Sequence, residues 1–370
     1  MKSLISICII LILGSSLCSF QTSFLQEMNK AYKDKNLIIS PISVYQILSL
    51  TANGAKGETL KQMLMALSSD ELLDLNKNNL GILKEVKQFT SIEIANAVFT
   101  NFKPINKFTN MAYTYEATIQ GLRDAAQINN WCDAKTHGKI KKIIDSIEPN
   151  TMMILLNAVY FKGVWKKEFD PKYTQKRSFY NLGDKNNEAL VDMMNMKEKF
   201  NYYADSNVQI IEIPFTKDSA SAIIILPKED ININTFISEL DDQKLKKYIS
   251  NLFPEKVDLT LPKFELEFES QLTNALQNLG MKDAFGPEAD LSGMKRERDI
   301  YISKVIQKTY LKVDENGAEA AAVTAVVIKT RSIGNQNKRM IVNRPFVMII
   351  KSSELPENYD ALFMAKIEKL

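Results

Sequence analysis

The chain has 370 residues, 45% of them hydrophobic and 25% charged, an ordinary globular composition with enough length for one large core or two domains. Lys and Arg number 47 against 44 Asp and Glu, and a formal charge of +3 is too small an excess for a dedicated nucleic-acid binder. No apolar run of 18 residues follows the N-terminus, which argues against a transmembrane span.

The first residues, MKSLISICIILILGSSLCS, carry Lys2, an apolar segment from Leu4 to Leu13, then small residues. That is the pattern of a cleaved secretory signal peptide, residues 1–19, with the cut expected near Cys18 to Phe20. Cys8 and Cys18 leave with it or lie at its edge. Cys132 is then the remaining cysteine, and no intramolecular disulfide is expected despite the oxidising route. The chain holds no Asn-x-Ser/Thr acceptor, and its last residues, Ile-Glu-Lys-Leu, match neither a retention nor a peroxisomal signal.

Ser23 and Gln26 read as a capping box ahead of FLQEMNKAY, a short amphipathic helix. Ser40 followed by Pro41 reads as a helix start, an N-cap hydroxyl and then a residue with its torsion preset. Ser91–Phe99 alternates as a strand does, and Ile128–Ile140 has a helical pattern. Cys132 beside Trp131 in that helix fits a small buried apolar role. His137 is the only histidine, and no nucleophile-elbow motif accompanies it, so no catalytic residue is predicted. Lys139, Lys141 and Lys142 read as a solvated basic helix face rather than a glycosaminoglycan site.

Thr151–Pro171 is nearly continuous apolar sequence until a Lys-Gly turn, the pattern of a strand buried on both faces. Asn157 interrupts it, and a buried amide requires polar partners. Asn343–Lys351 and Ala361–Ile367 close the chain as two strand-like runs. Strands and helices in irregular order, with no repeat or linker, predict a mixed α+β fold and one domain from residue 20 to 370.

The most unusual stretch runs from Val313 to Pro345. It follows the strand-like VIQKTYLKV and contains Gly317, free to adopt backbone angles that other residues avoid. Ala318, Ala320, Ala322, Thr324, Val326 and Ile328 then form one alternating set without charge. Glu319, Ala321, Val323, Ala325, Val327 and Lys329 form the other, charged only at its ends. A period of two with one face fit for burial is a strand pattern. Yet the segment empties into the polar, glycine-containing KTRSIGNQNKR, which is loop-like. On pattern alone an edge strand or an Ala-rich helix start would also fit.

The surroundings point to one family. Glu315, Asn316, Gly317, Ala318, Glu319, Ala320, Ala321 and Ala322 resemble the hinge of the serpin reactive loop. The segment from Asn36 through Ser40, Pro41 and Ser43, and the Gly-Ala-x-Gly-x-Thr pattern from Gly54 to Thr59, are similar to serpin segments too. The likeness covers Asn36 to Ile367. It implies a single-domain α+β serpin fold with a large central mixed β-sheet, smaller sheets, eight to nine helices and an exposed reactive loop. It implies that Ser91–Phe99 is the third strand of the large sheet and that Ile128–Ile140 crosses that sheet. Ser40 and Ser43 would lie where the sheet opens, in a polar cluster with Asn157 and with Gln307, which replaces the family's histidine. Trp165 would mark the place where the loop first enters. Other departures are Ala318, where inhibitory members favour Thr or Ser, and Asn316, where a charge is common.

The resemblance also implies a mechanism. Family spacing counts seventeen residues from the hinge Glu315 to the residue before the cut, which gives Arg331–Ser332 as the scissile bond. An arginine suits the acidic pocket of trypsin-like serine proteases. The cleaved loop would insert into the sheet and trap the acyl-enzyme, a mode of strand addition and stored-strain release for which serpins are the familiar case. The protein would then be a secreted, monomeric, single-use inhibitor and not an enzyme. It would use no cofactor and no metal, and have neither nucleic acid nor membrane as a partner. Two alternatives stay open: a non-inhibitory carrier, hormone precursor or chaperone-like serpin, and an inhibitor of papain-like cysteine proteases.

Overall fold

A computed structural model describes residues 19–217, 219–317 and 337–370. The helices are α1 (Phe20–Ala31), α2 (Pro41–Ala52), α3 (Gly57–Ala66), α4 (Leu72–Val86), α5 (Asn106–Thr114), α6 (Ala125–Lys135), α7 (Ile233–Ser238), α8 (Asp242–Ser250) and α9 (Thr273–Asn278). The first seven strands are β1 (Leu37–Ile39), β2 (Ile92–Thr100), β3 (Thr118–Gly121), β4 (Met153–Phe161), β5 (Gln175–Tyr180), β6 (Glu188–Ala204) and β7 (Val208–Pro214). The others are β8 (Ala220–Pro227), β9 (Phe253–Pro262), β10 (Phe264–Gln271), β11 (Lys304–Val313), β12 (Lys338–Ile341), β13 (Phe346–Ser352) and β14 (Ala361–Ile367).

The strands form two sheets. A five-stranded sheet runs in the order β10-β11-β4-β2-β3, and a nine-stranded sheet runs from β1 to β12 with β5 paired to β6. Both are mixed. In the five-stranded sheet β11 runs parallel to β4, and β2 runs antiparallel to β4. The Ser91–Phe99 run becomes β2, in the fourth place from β10. The third and central place belongs to β4.

β4 explains its own unbroken hydrophobicity. Met153, Leu155, Val159 and Phe161 join the main core, which extends from Phe20 to Ile367. The alternate residues Ile154, Leu156, Ala158 and Tyr160 join a second cluster, capped by Ile128, Trp131 and Cys132 of α6. α6 thus covers the outer face of the sheet, as expected, and Cys132 is buried there with its thiol pushed up to about 12 by desolvation.

Several local expectations are corrected. α1 begins three residues before Ser23, because Phe20 and Phe24 stack at 5.3 Å and bury the first turn. Ser23 therefore caps nothing, and Gln26 donates instead to the Leu240 carbonyl at 3.2 Å. α2 does start at Pro41, but the Ser40 hydroxyl makes no capping bond. α6 stops at Lys135. His137 and Gly138 take positive φ of 51° and 78°, and the Gly138 N–H closes the turn on the Asp133 carbonyl at 2.9 Å. Lys139, Lys141 and Lys142 consequently lie beyond the helix, not on its face.

Candidate functional site

The end of β11 folds into a tight turn at Asp314–Gly317. Asp314 and Gly317 exchange two backbone hydrogen bonds, 2.9 and 3.1 Å. Gly317 also forms an antiparallel bridge with Val164, just beyond the end of β4. One residue is thus bridged to the extensions of two neighbouring strands, antiparallel to both. Its φ is +124°, and a Cβ there would lie 2.3 Å from the Gly163 carbonyl oxygen, so only glycine fits.

Trp165 and Glu315 hold this turn. The Trp165 backbone N–H donates to the Asn316 carbonyl and its indole N–H to the Asp314 carbonyl, each at 2.9 Å. The indole stacks on Phe215 at 4.4 Å. The Glu315 carboxylate is buried and takes the Lys263 ammonium and the Thr174 hydroxyl, each at 2.8 Å. Burial pushes this carboxyl up, but Lys263, the residue's own backbone N–H and Thr174 outweigh it and hold it below the usual carboxylate range.

A second constellation lies deeper, on the inner face of the same sheet. Ladder register places Ser270, Gln307, Asn157 and Asn96 side by side on β10, β11, β4 and β2. The Gln307 amide donates to Asn157 Oδ1 at 2.6 Å and to the Ser40 carbonyl at 3.1 Å, and accepts from the Ser40 N–H at 3.0 Å. Asn157 Nδ2 in turn donates to Ser43 Oγ and, at 2.7 Å, to Asn96 Oδ1. Asn96 reaches Gln46 Oε1 at 3.4 Å. The polar row ties β11 to β4 and both to α2 in an otherwise apolar core. Gln307 supplies donor and acceptor at once, as such a site demands. It also explains the idle Ser40 hydroxyl: the Gln307 amide already holds the Ser40 backbone, and Ser40 Oγ has no partner among the described residues.

Comparison with known proteins fits this arrangement. Residues 15–369 match the family described as Serpin (serine protease inhibitor). The chain belongs to the serpin family. Among curated relatives, it is 34% identical to intracellular coagulation inhibitor 2 of Tachypleus tridentatus over 342 residues, 86% of this chain and 83% of that protein. Its structure superposes on the thermophilic serpin tengpin in the native state with a TM-score of 0.86, at 30% identity, covering 100% of this chain and 96% of the other. The thyroxine-binding globulin complex with thyroxine follows with a TM-score of 0.85, at 26% identity, covering 95% and 98%.

In this serpin, Ser40, Ser43, Asn157 and Gln307 come together, the grouping that the family resemblance implies. Trp165 does not join them; it stands at the hinge turn with Glu315 and Gly317. The sequence reading missed Asn96, Gln46 and Ser270, which extend the row to both sides. A signal for one was present: Asn96 is the sole amide on the core-facing positions of β2. Ala318, Ala320, Ala321, Ala322, Arg331 and Ser332 lie outside the described residues. His137 is exposed and pairs through Nε2 with Glu93 Oε2 at 2.6 Å, while Glu93 also takes Lys162 at 2.7 Å. No Ser or Cys completes a catalytic set there among the described residues.

Proposed function

We propose that this serpin is a secreted, single-use inhibitor of trypsin-like serine proteases, cleaved at Arg331–Ser332. The observation that carries the reading is the double bridging of Gly317. It is the first rung of a strand that would lie between β11 and β4, antiparallel to both. A protease serine attacks the Arg331 carbonyl, the Ser332 amine departs, and the freed chain from Ala318 to Ile328 continues that rung downwards. The parallel β11–β4 ladder of eight register pairs gives way to two antiparallel ladders, the more stable kind per residue. The uncharged face of the inserted segment is buried at the same time. The acyl-enzyme is dragged with the strand, and displacing a catalytic group by about 1 Å can slow its chemistry about 100-fold, so deacylation stalls.

The hinge sequence supports inhibition: Ala318, Ala320, Ala321 and Ala322 offer no proline or bulky group to block entry into the sheet. On this reading the protein is a monomer that catalyses no turnover and needs no metal or cofactor. Secretion rests on the leader pattern of residues 1–19. A carrier role is a second reading, favoured by the likeness to a thyroxine-binding globulin. Incubation with trypsin-like, chymotrypsin-like and papain-like proteases decides among these. A denaturant-resistant complex with trypsin, and a mass-mapped cut after Arg331, is expected. Cleavage without any complex would overturn inhibition, and a complex with the papain-like enzyme alone would reassign the target class.

A further inference from the structure

The start of the folded chain carries an electrostatic feature that the inhibitory mechanism does not use. Ser19 is the N-cap of α1 and is 6% exposed. Its hydroxyl does not cap the helix but donates to Asp242 Oδ1 at 2.6 Å, and its backbone N–H donates to Asp242 Oδ2. The Thr22 hydroxyl adds a third donor, 2.8 Å from Oδ1. Asp242 is partly buried in the first turn of α8, and among the described residues no Lys or Arg forms an ion pair with it. A half-buried carboxylate thus faces the Ser19 nitrogen without a cation.

We propose that the leader is cut between Cys18 and Ser19, and that the ammonium so created is the missing counter-ion of Asp242. Hydrolysis consumes one water and breaks the Cys18 carbonyl–Ser19 nitrogen bond. It leaves a carboxylate on the released leader and, at neutral pH, an ammonium on Ser19. The processing enzyme is an endopeptidase of the signal-peptide-removing class, which requires small residues at the third and first positions before the cut. Ser16 and Cys18 satisfy that rule. A cut after Leu17 puts a bulky residue in the first position, and a cut after Ser19 puts Leu17 in the third. A cut after Ser16 satisfies it too, and the geometry separates the two: that product keeps a neutral amide at Ser19 and leaves Asp242 uncompensated. A cation at the start of α1 is opposed by the helix dipole, and the same dipole favours the Asp242 carboxylate at the start of α8. Pairing them resolves the first conflict and adds an ion pair to the hydrogen bonds that already join α1 to α8.

The proposal rests on the secreted reading, and one experiment separates their failures. The full-length chain is expressed through a eukaryotic secretory route, and the secreted protein is sequenced from its N-terminus. Ser19 with a free amine is expected. Secretion with another N-terminus overturns this proposal alone, whereas retention of the uncut chain in the cell overturns both. Two further chains are then compared, one beginning at Ser19 and one with two glycines ahead of it. At pH 7 the first should melt about 2 °C higher, the size of a single partly exposed ion pair. A paired α-amine has its pKa raised above the unfolded value of about 7.7–8.0, so this gain is full below that value and lost as pH rises through the folded pKa. The difference should therefore vanish in strong alkali, and vanish at pH 7 when both chains carry Asp242→Asn. A difference that persists in Asp242→Asn, or no difference at pH 7, overturns the ion pair.

Discussion

Gly317 and Val164 form an antiparallel bridge although they belong to the extensions of strands that run parallel, β11 and β4. The turn at Asp314–Gly317 reverses the chain in four residues and sets it between the two strand ends. Gly317 therefore sits between the ends of β11 and β4. Gly317→Ala should undo this, because its Cβ meets the Gly163 carbonyl at 2.3 Å and its φ of +124° is hostile to a side chain. A loss of about 2 kcal/mol or more is expected in the intact protein, read from its urea midpoint. An unchanged midpoint would mean that the bridge contributes nothing.

The Gln307–Asn157 pair should act as a lock between the same two strands. Gln307→Leu leaves Asn157 Oδ1 and both backbone groups of Ser40 without their buried partner. Stranding buried polar groups costs about 1–3 kcal/mol each, so the intact protein should lose a few kcal/mol. Gln307→His, which restores a ring donor, should recover part of it. Equal stability of the Leu and His variants in denaturant would show that volume, not hydrogen bonding, matters at this position.

Acid should loosen the hinge. The Glu315 carboxyl is held below its ordinary range, so its contribution is present above the unfolded value of about 4.3 and is lost as pH falls through the depressed folded pKa. Glu93, held down by Lys162 and His137 against the effect of burial, weakens in the same window. Melting temperature followed from pH 6 to pH 3 should fall less steeply for Glu315→Gln than for the parent. Parallel curves would remove Glu315 from the acid response.

Cleavage and specificity are tested together. Arg331→Ala should abolish trapping of trypsin-like enzymes with little effect on stability, since surface substitutions usually stay within about 0.5 kcal/mol. Clean cleavage of the parent at Arg331–Ser332 should raise its melting temperature, because the freed segment gains a strand's worth of contacts. Trapping at the parent rate by the variant would shift attention to Lys329 or Arg339.

The face assignment in the loop gives a sharper comparison. Ala320→Arg should place an unpaired cation under the inserted strand and convert the inhibitor into a substrate. Ala321→Arg, on the opposite face, should be milder, though α6 covers that side of the sheet. Stoichiometry of inhibition against one trypsin-like protease measures both, and a worse value for Ala321→Arg would reverse the assignment.

The sequence alone determined what depends on neighbouring residues along the chain. The unbroken apolar run of β4 announced burial on two faces, Asn157 announced a need for partners, and Gly317 announced freedom to take backbone angles that other residues avoid. Those signals are local, and the family's order of segments carried the fold with them. What the chain could not announce was which distant groups would meet. The amide of Gln307 occupies the backbone of Ser40 across 267 residues, and that contact silences the serine's expected cap. Early burial of Phe20 moved the first helix ahead of its apparent capping box. Trp165, four residues past the end of β4, holds the Asp314–Gly317 turn through backbone carbonyls that no motif around it names. Asp242 faces Ser19 across 223 residues, a relationship written in no motif. Register between strands and packing between helices chose these partners, and both are properties of the assembled core rather than of any segment within it.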